Sequence, residues 1–288
     1  MKDQITGHTR LGGLLGSPVA HSISPMMHNA AFAHLGIDWV YLCFDTGKDK
    51  LGQVVEAMRS LNVFGFNVTM PDKVRILPYL DGLSKEAEMI GAVNTVKNEN
   101  GKLIGYNTDG MGFLQSLTSE GIRIKGQTVS LIGAGGAGNA IATQAAIDGA
   151  KELHLLCRRG RSWEHAQSLV RQISEQTACR ADLTDLADTE QIKAHLQDSA
   201  LLINASSAGM APDIDVTPIR DPSLLSPDLI VTDVIYNPAK TRLLREAEQR
   251  GCRIQNGMYM LLYQGAASFR IWTRQDMPVE MIRQRFFS

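Results

Sequence analysis

Apolar residues in this chain follow two rhythms: short uninterrupted runs, and stretches spaced by three and four. The uninterrupted runs at residues 11–16, 39–44 and 64–69 have the length of strands buried on both faces of a sheet. Between them, residues 26–35 and 51–61 read as helices. The first takes Ser24 as its N-cap and Pro25 as its first helical residue, and Gly36 stops it. The second puts Leu51, Val54, Val55, Met58 and Leu61 on one stripe. This β-α-β-α-β succession predicts a mainly parallel sheet with helices on its faces. Residues 92–96 and 103–106, joined by Asn98-Glu99-Asn100-Gly101, predict a hairpin appended to that sheet.

The same rhythm resumes further on. Residues 109–117 read as a helix carrying Gly110 and Gly112, and it forms the crossing into a second domain. Strands are expected at 129–132, 152–157, 201–205, 229–235 and 253–255, with helices over 139–150 and 241–250. Residues 258–272 form an apolar helix with one conspicuous polar residue, Gln264. Directly after the run 129–132 come Gly133, Gly135 and Gly138 in G-x-G-x-x-G spacing. Between a strand and a helix, the first glycine permits the tight turn and the second lets a pyrophosphate approach the backbone. The third lets helix and strand pack closely. The helix N-terminus then offers N–H groups and a partial positive charge to phosphates. A plain βα turn is the competing reading. The expected fold class is α/β: an N-terminal α/β substrate domain with a mainly parallel sheet, plus a Rossmann dinucleotide-binding domain. The expected boundaries are 1–110 for the first, completed by helices in 258–288, and 111–257 for the second.

Composition narrows the function classes. A formal net charge of −1 gives no bulk attraction to nucleic acid or to an anionic membrane, so neither is an expected partner. Cys43, Cys157, Cys179 and Cys252 are scattered without a C-x-x-C, which suits reduced thiols in a cytoplasmic protein. No signal-peptide pattern is seen and no run approaches ~20 apolar residues. The seven histidines show no H-E-x-x-H or paired ligand spacing, so no metal is expected.

Polar residues collect where the first domain's strands end. Ser22 and Ser24 follow the first strand, Asn67, Thr69 and Lys73 lie on or after the third, and Asn94 and Thr95 sit in the hairpin. Asn107, Thr108 and Asp109 come just after it. Open α/β sheets bind ligands at such ends, and this set suits a small polyhydroxylated acid. Taken singly, Ser24 and Thr108 also read as helix caps and Lys73 as a solvated lysine. In the second domain, an NAD-selective unit carries Asp or Glu at the end of its second strand. Here that place reads Cys157-Arg158-Arg159-Gly160-Arg161. Arginines attract a 2′-phosphate through charge-assisted contacts, so NADP is the expected cofactor and NAD the alternative.

The motifs together resemble one family along essentially the whole chain. They are S-x-S-P-x-x-H-N at 22–29, N-V-T-x-P-x-K at 67–73, G-A-V-N-T at 91–95 and N-T-D-G-x-G-F at 107–113. G-A-G-G-A follows at 133–137, then D-V-I-Y-N-P at 233–238 and M-L-x-x-Q-G-A at 260–266. In these the chain resembles the shikimate dehydrogenases and their quinate/shikimate relatives. The resemblance implies reversible reduction of 3-dehydroshikimate to shikimate in aromatic amino acid biosynthesis, a deep interdomain cleft, and a monomer or homodimer. It implies Lys73 as acid/base with Asp109 as its partner, and Ser22, Ser24, Asn67, Thr69, Asn94 and Gln264 as substrate-binding residues. For the cofactor it implies Gly133, Ala134, Gly135, Gly136, Ala137 and Gly138, then Cys157, Arg158 and Arg159, and finally Ser207, Val234, Tyr236, Asn237 and Gly257. Two departures stand out. The family's N-x-T-x-x-G-M has Ser206 for its threonine, and its Asn-Arg-Thr after the second Rossmann strand is Cys157-Arg158-Arg159. The alternatives are a quinate/shikimate dehydrogenase using NAD or NADP and, more distantly, a nucleotide-sensing relative without catalysis, which has no reason to keep Lys73 and Asp109.

Overall fold

The computed structural model describes residues 5–47, 49–160 and 162–287. The chain divides into two compact units, Met1–Thr108 with Leu262–Ser288, and Asp109–Leu261.

The first unit runs β1 (Arg10–Gly16), α1 (Ser24–His34), β2 (Trp39–Asp45), α2 (Leu51–Ser60), β3 (Gly65–Val68), β4 (Gly82–Leu83), α3 (Lys85–Ile90), β5 (Thr95–Glu99) and β6 (Lys102–Tyr106). Its sheet has the order β2-β1-β3-β5-β6-β4. β1 is parallel to both neighbours, so strand order reverses there, whereas β5 is antiparallel to β3 and to β6. The hairpin is tight. Glu99 faces Lys102, and Asn100 and Gly101 take φ of 56° and 91°, the pair of positive values that an Asn-Gly turn supplies.

The apolar stripe of α2 lies where its spacing puts it: Leu51, Val55 and Met58 pack with Leu15, Phe66, Val68, Val96 and Leu103. Leu61 does not join them. It caps the end of α2 and is 67% exposed. Ser24 is likewise not the N-cap of α1. Ile23 holds that position with helical backbone angles, and Ser24 is the first helical residue. The turn is closed instead by Ser22, whose Oγ accepts from the Ser24 N–H at 3.2 Å.

The second unit runs α4 (Asp109–Ser119), β7 (Thr128–Ile132), α5 (Gly136–Ile147), β8 (Glu152–Cys157), α6 (Trp163–Gln176), β9 (Arg180–Asp185), α7 (Thr189–Asp198), β10 (Leu201–Asn204), β11 (Ile230–Asp233), α8 (Arg242–Gln249) and β12 (Arg253–Gln255). All six strands are parallel in the order β12-β11-β10-β7-β8-β9. Counted from β7, this is the doubly wound order 3-2-1-4-5-6 of dinucleotide-binding sheets.

The period of two in each strand builds two cores. Val129, Leu131, Leu153, Leu155, Leu201 and Ile203 face a layer that includes α5 and α6. Ile132, Leu156 and Leu202 face the opposite layer, with Ile192 of α7 and Leu243 of α8. α5 starts at Gly136, three residues before the expected start at 139, because the glycine loop itself supplies the first helical turn. The elements β4, α3, α6, β9 and α7 have no counterpart in the pattern-based reading, whereas α10 (Val279–Phe286) falls within the stretch 258–288 where C-terminal helices are expected. α9 (Met258–Thr273) lays Leu262, Gly265, Ser268, Phe269 and Trp272 inward. Among the described residues no helix is long and apolar enough to cross a membrane.

Candidate active site

Sheet register decides which residues of the first unit share an edge. Asn67 on β3 pairs with Thr95 on β5, Thr95 with Tyr106 on β6, and Leu15 on β1 with Val68. The exits of β1, β3 and β6 and the entry of β5 therefore lie on one side, at the strand where the order reverses, which is where such sheets take ligands. Backbone bonds stitch these segments together. Ser17 N–H donates to Met70 O at 3.1 Å, Thr69 N–H to Leu15 O at 2.8 Å, and Val93 N–H to Lys73 O at 2.8 Å. Val68 N–H reaches Asn94 O at 2.8 Å and Asn94 N–H reaches Tyr106 O at 3.1 Å. Ser22, Ser24, Thr69, Lys73 and Asn94 thus belong to connected segments of one edge. Ser24 is buried, while Ser22, Thr69 and Lys73 are half-buried. Asp109 is buried at the first position of α4, directly after Thr108.

Behind that edge is a dry polar network. Asn67 is 6% exposed, and both ends of its carboxamide are engaged. Its Oδ1 accepts from Tyr41 Oη at 2.7 Å, and its Nδ2 lies 3.0 Å from each of Asn94 O, Thr95 Oγ1 and Ser268 Oγ. Asn94 Oδ1 accepts from Thr108 N–H at 2.8 Å and Thr95 Oγ1 at 2.9 Å, and its Nδ2 donates to Thr108 Oγ1 at 2.9 Å. A buried network that is fully paired fixes the orientation of each member, so Asn94 is held in one amide orientation. The sequence reading missed Tyr41 and Ser268. Tyr41 passes for a core aromatic. Ser268 is one helical turn beyond Gln264 on the same face, a spacing that could have flagged it.

In the second unit the parallel strands bring every expected cofactor residue to one edge. Gly133 has φ of 103°, and a side chain there would press on the backbone of Ala205 and Ser206 at 3.0 Å, where β7 and β10 part. A Cβ on Gly138 would overlap the carbonyl oxygen of Gly133, so α5 approaches the turn as closely as glycine allows. Gly135 and Gly136 are exposed, with nothing within 4 Å of a Cβ built on either. Ala134 is buried and Ala137 half-buried. The open backbone at the start of α5 fits a pyrophosphate.

At the end of β8, Cys157 is buried, which pushes its thiol up, while Arg158 and Arg159, just beyond it, are exposed. Arg161 lies outside the described residues. Arg159 is held in place: its Nε is 3.0 Å from Asp185 Oδ2, and its guanidinium lies 4.8 Å over the Trp163 ring. Asp185 ends β9, beside Cys157. An acid does therefore stand next to the arginine turn, supplied by a strand the sequence reading did not find.

The remaining cofactor residues follow the other strand ends. Ser207 is exposed after β10, Val234, Tyr236 and Asn237 follow β11, and Gly257 follows β12. Asp233 anchors two of these loops from below. It is fully buried, its Oδ2 accepts from Asn204 Nδ2 at 3.0 Å and Thr241 Oγ1 at 2.8 Å, and its Oδ1 from Ile235 N–H at 2.9 Å. Burial pushes its carboxyl up to about 6, against the pull of those donors.

Histidines distant in sequence do come together. His154 on β8, Asp182 on β9 and His195 on α7 place one ligating atom each within 4.8 Å of one another. Yet the imidazole rings stack, 3.7 Å apart and 23° from parallel, so their in-plane lone pairs run side by side instead of converging. His154 Nδ1 is 2.7 Å from Asp182 Oδ2 and His195 Nε2 is 2.9 Å from Thr184 Oγ1. The cluster is arranged for hydrogen bonding.

Comparison with known proteins agrees with both halves of the chain. Residues 14–96 match the shikimate dehydrogenase substrate binding domain, and residues 257–285 the shikimate 5′-dehydrogenase C-terminal domain. A shikimate dehydrogenase (NADP(+)) of Streptococcus uberis is 45% identical over 291 residues, covering 100% of this chain and 99% of that protein. The crystal structure of shikimate 5-dehydrogenase from Listeria monocytogenes in complex with shikimate and NAD matches at TM-score 0.95 and 46% identity, over 99% of this chain and 98% of that one. Quinate dehydrogenase from Corynebacterium glutamicum in complex with NAD matches at TM-score 0.85 and 31% identity, over 97% and 99%. Fold and site define a Rossmann-type α/β oxidoreductase. More narrowly, the chain belongs to the shikimate dehydrogenase family.

Proposed function

We propose that this protein is an NADP-dependent shikimate dehydrogenase, interconverting 3-dehydroshikimate and shikimate. The first unit holds the substrate and the second the dinucleotide. The observation that carries this reading is the shared edge of β1, β3, β5 and β6, where Ser22, Ser24, Thr69, Lys73 and Asn94 are tied into connected segments. Hydroxyls and amides of that kind match a ligand bearing several hydroxyls and a carboxylate. Asn67 is the buried amide behind them, and Gln264 adds an amide from α9.

NADPH, when bound, supplies the hydride. The protein's share is to bind, orient and manage one proton. Lys73 gives its Nζ proton to the ketone oxygen as that oxygen gains charge, and takes it back in the oxidation direction; such transfer is worth roughly 10²–10⁴-fold. Asp109 is assigned as the carboxylate partner of that lysine, as in the family's N-T-D-G motif at 107–110. The open glycine backbone before α5 would hold the pyrophosphate, and Arg158 with Arg159 would hold the 2′-phosphate.

Shikimate is taken as the preferred acid over quinate because N-V-T-M-P at 67–71 resembles the shikimate-specific pattern of the family. The test is a set of initial rates with shikimate and quinate, each with NADP and NAD. Shikimate with NADP should give the highest kcat/KM. A preference for quinate with NAD moves the chain to the dual-specificity class, and NADP binding without turnover of either acid makes it a sensor.

A further inference from the structure

α9 carries a row of three residues spaced by four, Gln264, Ser268 and Trp272, and the last two meet the first unit's sheet. Such a row lies along one face of a helix. Its two inner members are docked on β5. Trp272 Nε1 donates to Val96 O at 3.0 Å, and Ser268 Oγ is 2.7 Å from Thr95 Oγ1. Thr95 is one residue nearer than Val96 to the polar end of β5. Each turn of α9 therefore advances toward that end, and one more turn, about 5.4 Å, carries Gln264 beyond Thr95 to the level where Asn94 stands.

Ser268 is the member of the row that joins helix to site. It is fully buried. Its Oγ is 3.0 Å from Asn67 Nδ2 and 3.2 Å from Thr108 Oγ1, and it donates to Gln264 O at 3.0 Å. One hydroxyl thus connects the backbone of Gln264 with side chains from β3, β5 and the exit of β6. The helix comes close enough for this contact because Gly265 lacks a side chain: a Cβ there would overlap the methyl of Met27.

We propose that Ser268 is a positioning residue for substrate binding: through its contacts with Asn67, Thr95 and Thr108 it fixes how far α9 carries Gln264 past the strand ends. The proposal rests on the reading that Gln264 contacts substrate. Ser268 itself stays behind the site.

The experiment is a double-mutant cycle on the full-length enzyme with saturating NADP, using wild type, Gln264→Ala, Ser268→Ala and the double variant. For each, kcat, KM for shikimate, KM for NADP and Tm are measured. Losing a contact of this kind through displacement should raise KM for shikimate about five-fold or more, leaving KM for NADP within about two-fold. In the Gln264→Ala background the same substitution should add less than about two-fold to KM, because coupled residues are not additive. The fall in Tm should be the same in both backgrounds, which separates positioning from loss of fold.

A full KM effect of Ser268→Ala in the Gln264→Ala background overturns the proposal, as does an unchanged KM in Ser268→Ala alone. If Gln264→Ala itself leaves shikimate kinetics unchanged, the parent assignment of Gln264 falls, and the proposal with it. Should Ser268→Ala not fold, Ser268→Cys, with its weaker donor, takes its place in the cycle.

Discussion

At the strand ends of the first unit the polar groups are side chains, locked by other side chains. At those of the second unit they are mostly backbone, left open by glycine. Asn67 and Asn94 are oriented by Tyr41, Thr95, Thr108 and Ser268, all but fully buried. Gly135 and Gly136 have nothing within 4 Å of where a side chain would begin. The difference follows from what each edge would recognise. A small acid with several hydroxyls is distinguished by amides and hydroxyls of fixed direction. A pyrophosphate needs N–H groups and space, which a helix N-terminus provides whatever the sequence around it.

The largest effect should come from Lys73 on the first unit's edge. Lys73→Ala should lower kcat by about 10²-fold or more, with KM for shikimate little changed, because its proton matters only as the oxygen gains charge. Steady-state kinetics in both directions check this. Near-normal kcat would remove Lys73 from the proton path and leave the first unit as a binding surface only.

The same contrast explains what could be read from sequence. The glycine loop was legible because backbone geometry restricts residue type: G-x-G-x-x-G between a strand and a helix has few other uses. The polar edge was legible as a collection, since Ser22, Thr69, Lys73 and Asn94 each follow or precede an apolar run. Its backing was not. Tyr41 and Ser268 act through contacts 26 and 201 residues distant in sequence from Asn67, and no local pattern encodes such a distance. β9 and α7 were missed for a different reason. β9 reads RADLTD and buries only Thr184, while α7 buries only Ile192, His195 and Leu196, so an edge element shows little apolar rhythm. Missing β9 also hid Asp185, the carboxylate that holds Arg159.

The arginines give the next largest effect and test the open side of the comparison. If they read the 2′-phosphate, Arg158→Ala and Arg159→Ala should each weaken NADP about 10- to 150-fold, from ~1.5–3 kcal/mol per charged contact. NAD should be nearly unaffected. kcat/KM for both cofactors in wild type and each variant decides it. Equal losses for the two cofactors would mean that the arginines serve the fold or the whole dinucleotide.

The smallest effect concerns acid, and it should separate the units. The aromatic wall behind the first unit's network contains His28, fully buried, stacked on Tyr41 at 4.6 Å and tilted by 56° against Trp272 at 5.2 Å. Neither of its ring nitrogens has a hydrogen-bond partner among the described residues. Burial lowers its pKa to about 3, so it is neutral in the folded protein, while in the unfolded chain it titrates near the ordinary 6.5. Its contribution is therefore complete above pH 6.5 and is lost as pH falls from there toward 3. By pH 5 protonation of the unfolded chain alone removes about 2 kcal/mol.

The second unit carries both signs. His195, lowered by burial and then by His154, also loses stability in acid, whereas Asp233, raised to about 6 by burial, gains it. The readout is unfolding followed by tryptophan fluorescence in a Trp163→Phe background, which leaves Trp39 and Trp272, both in the first unit. Between pH 7.5 and pH 5 the midpoint should fall several degrees further with His28 present than in His28→Phe, given roughly 2–4 °C per kcal/mol at this size. Comparing the two falls, instead of absolute midpoints, cancels any packing strain the phenylalanine brings. Equal falls would show that His28 finds a proton acceptor in the folded wall, and the first unit would then have no acid-sensitive core to set against the second.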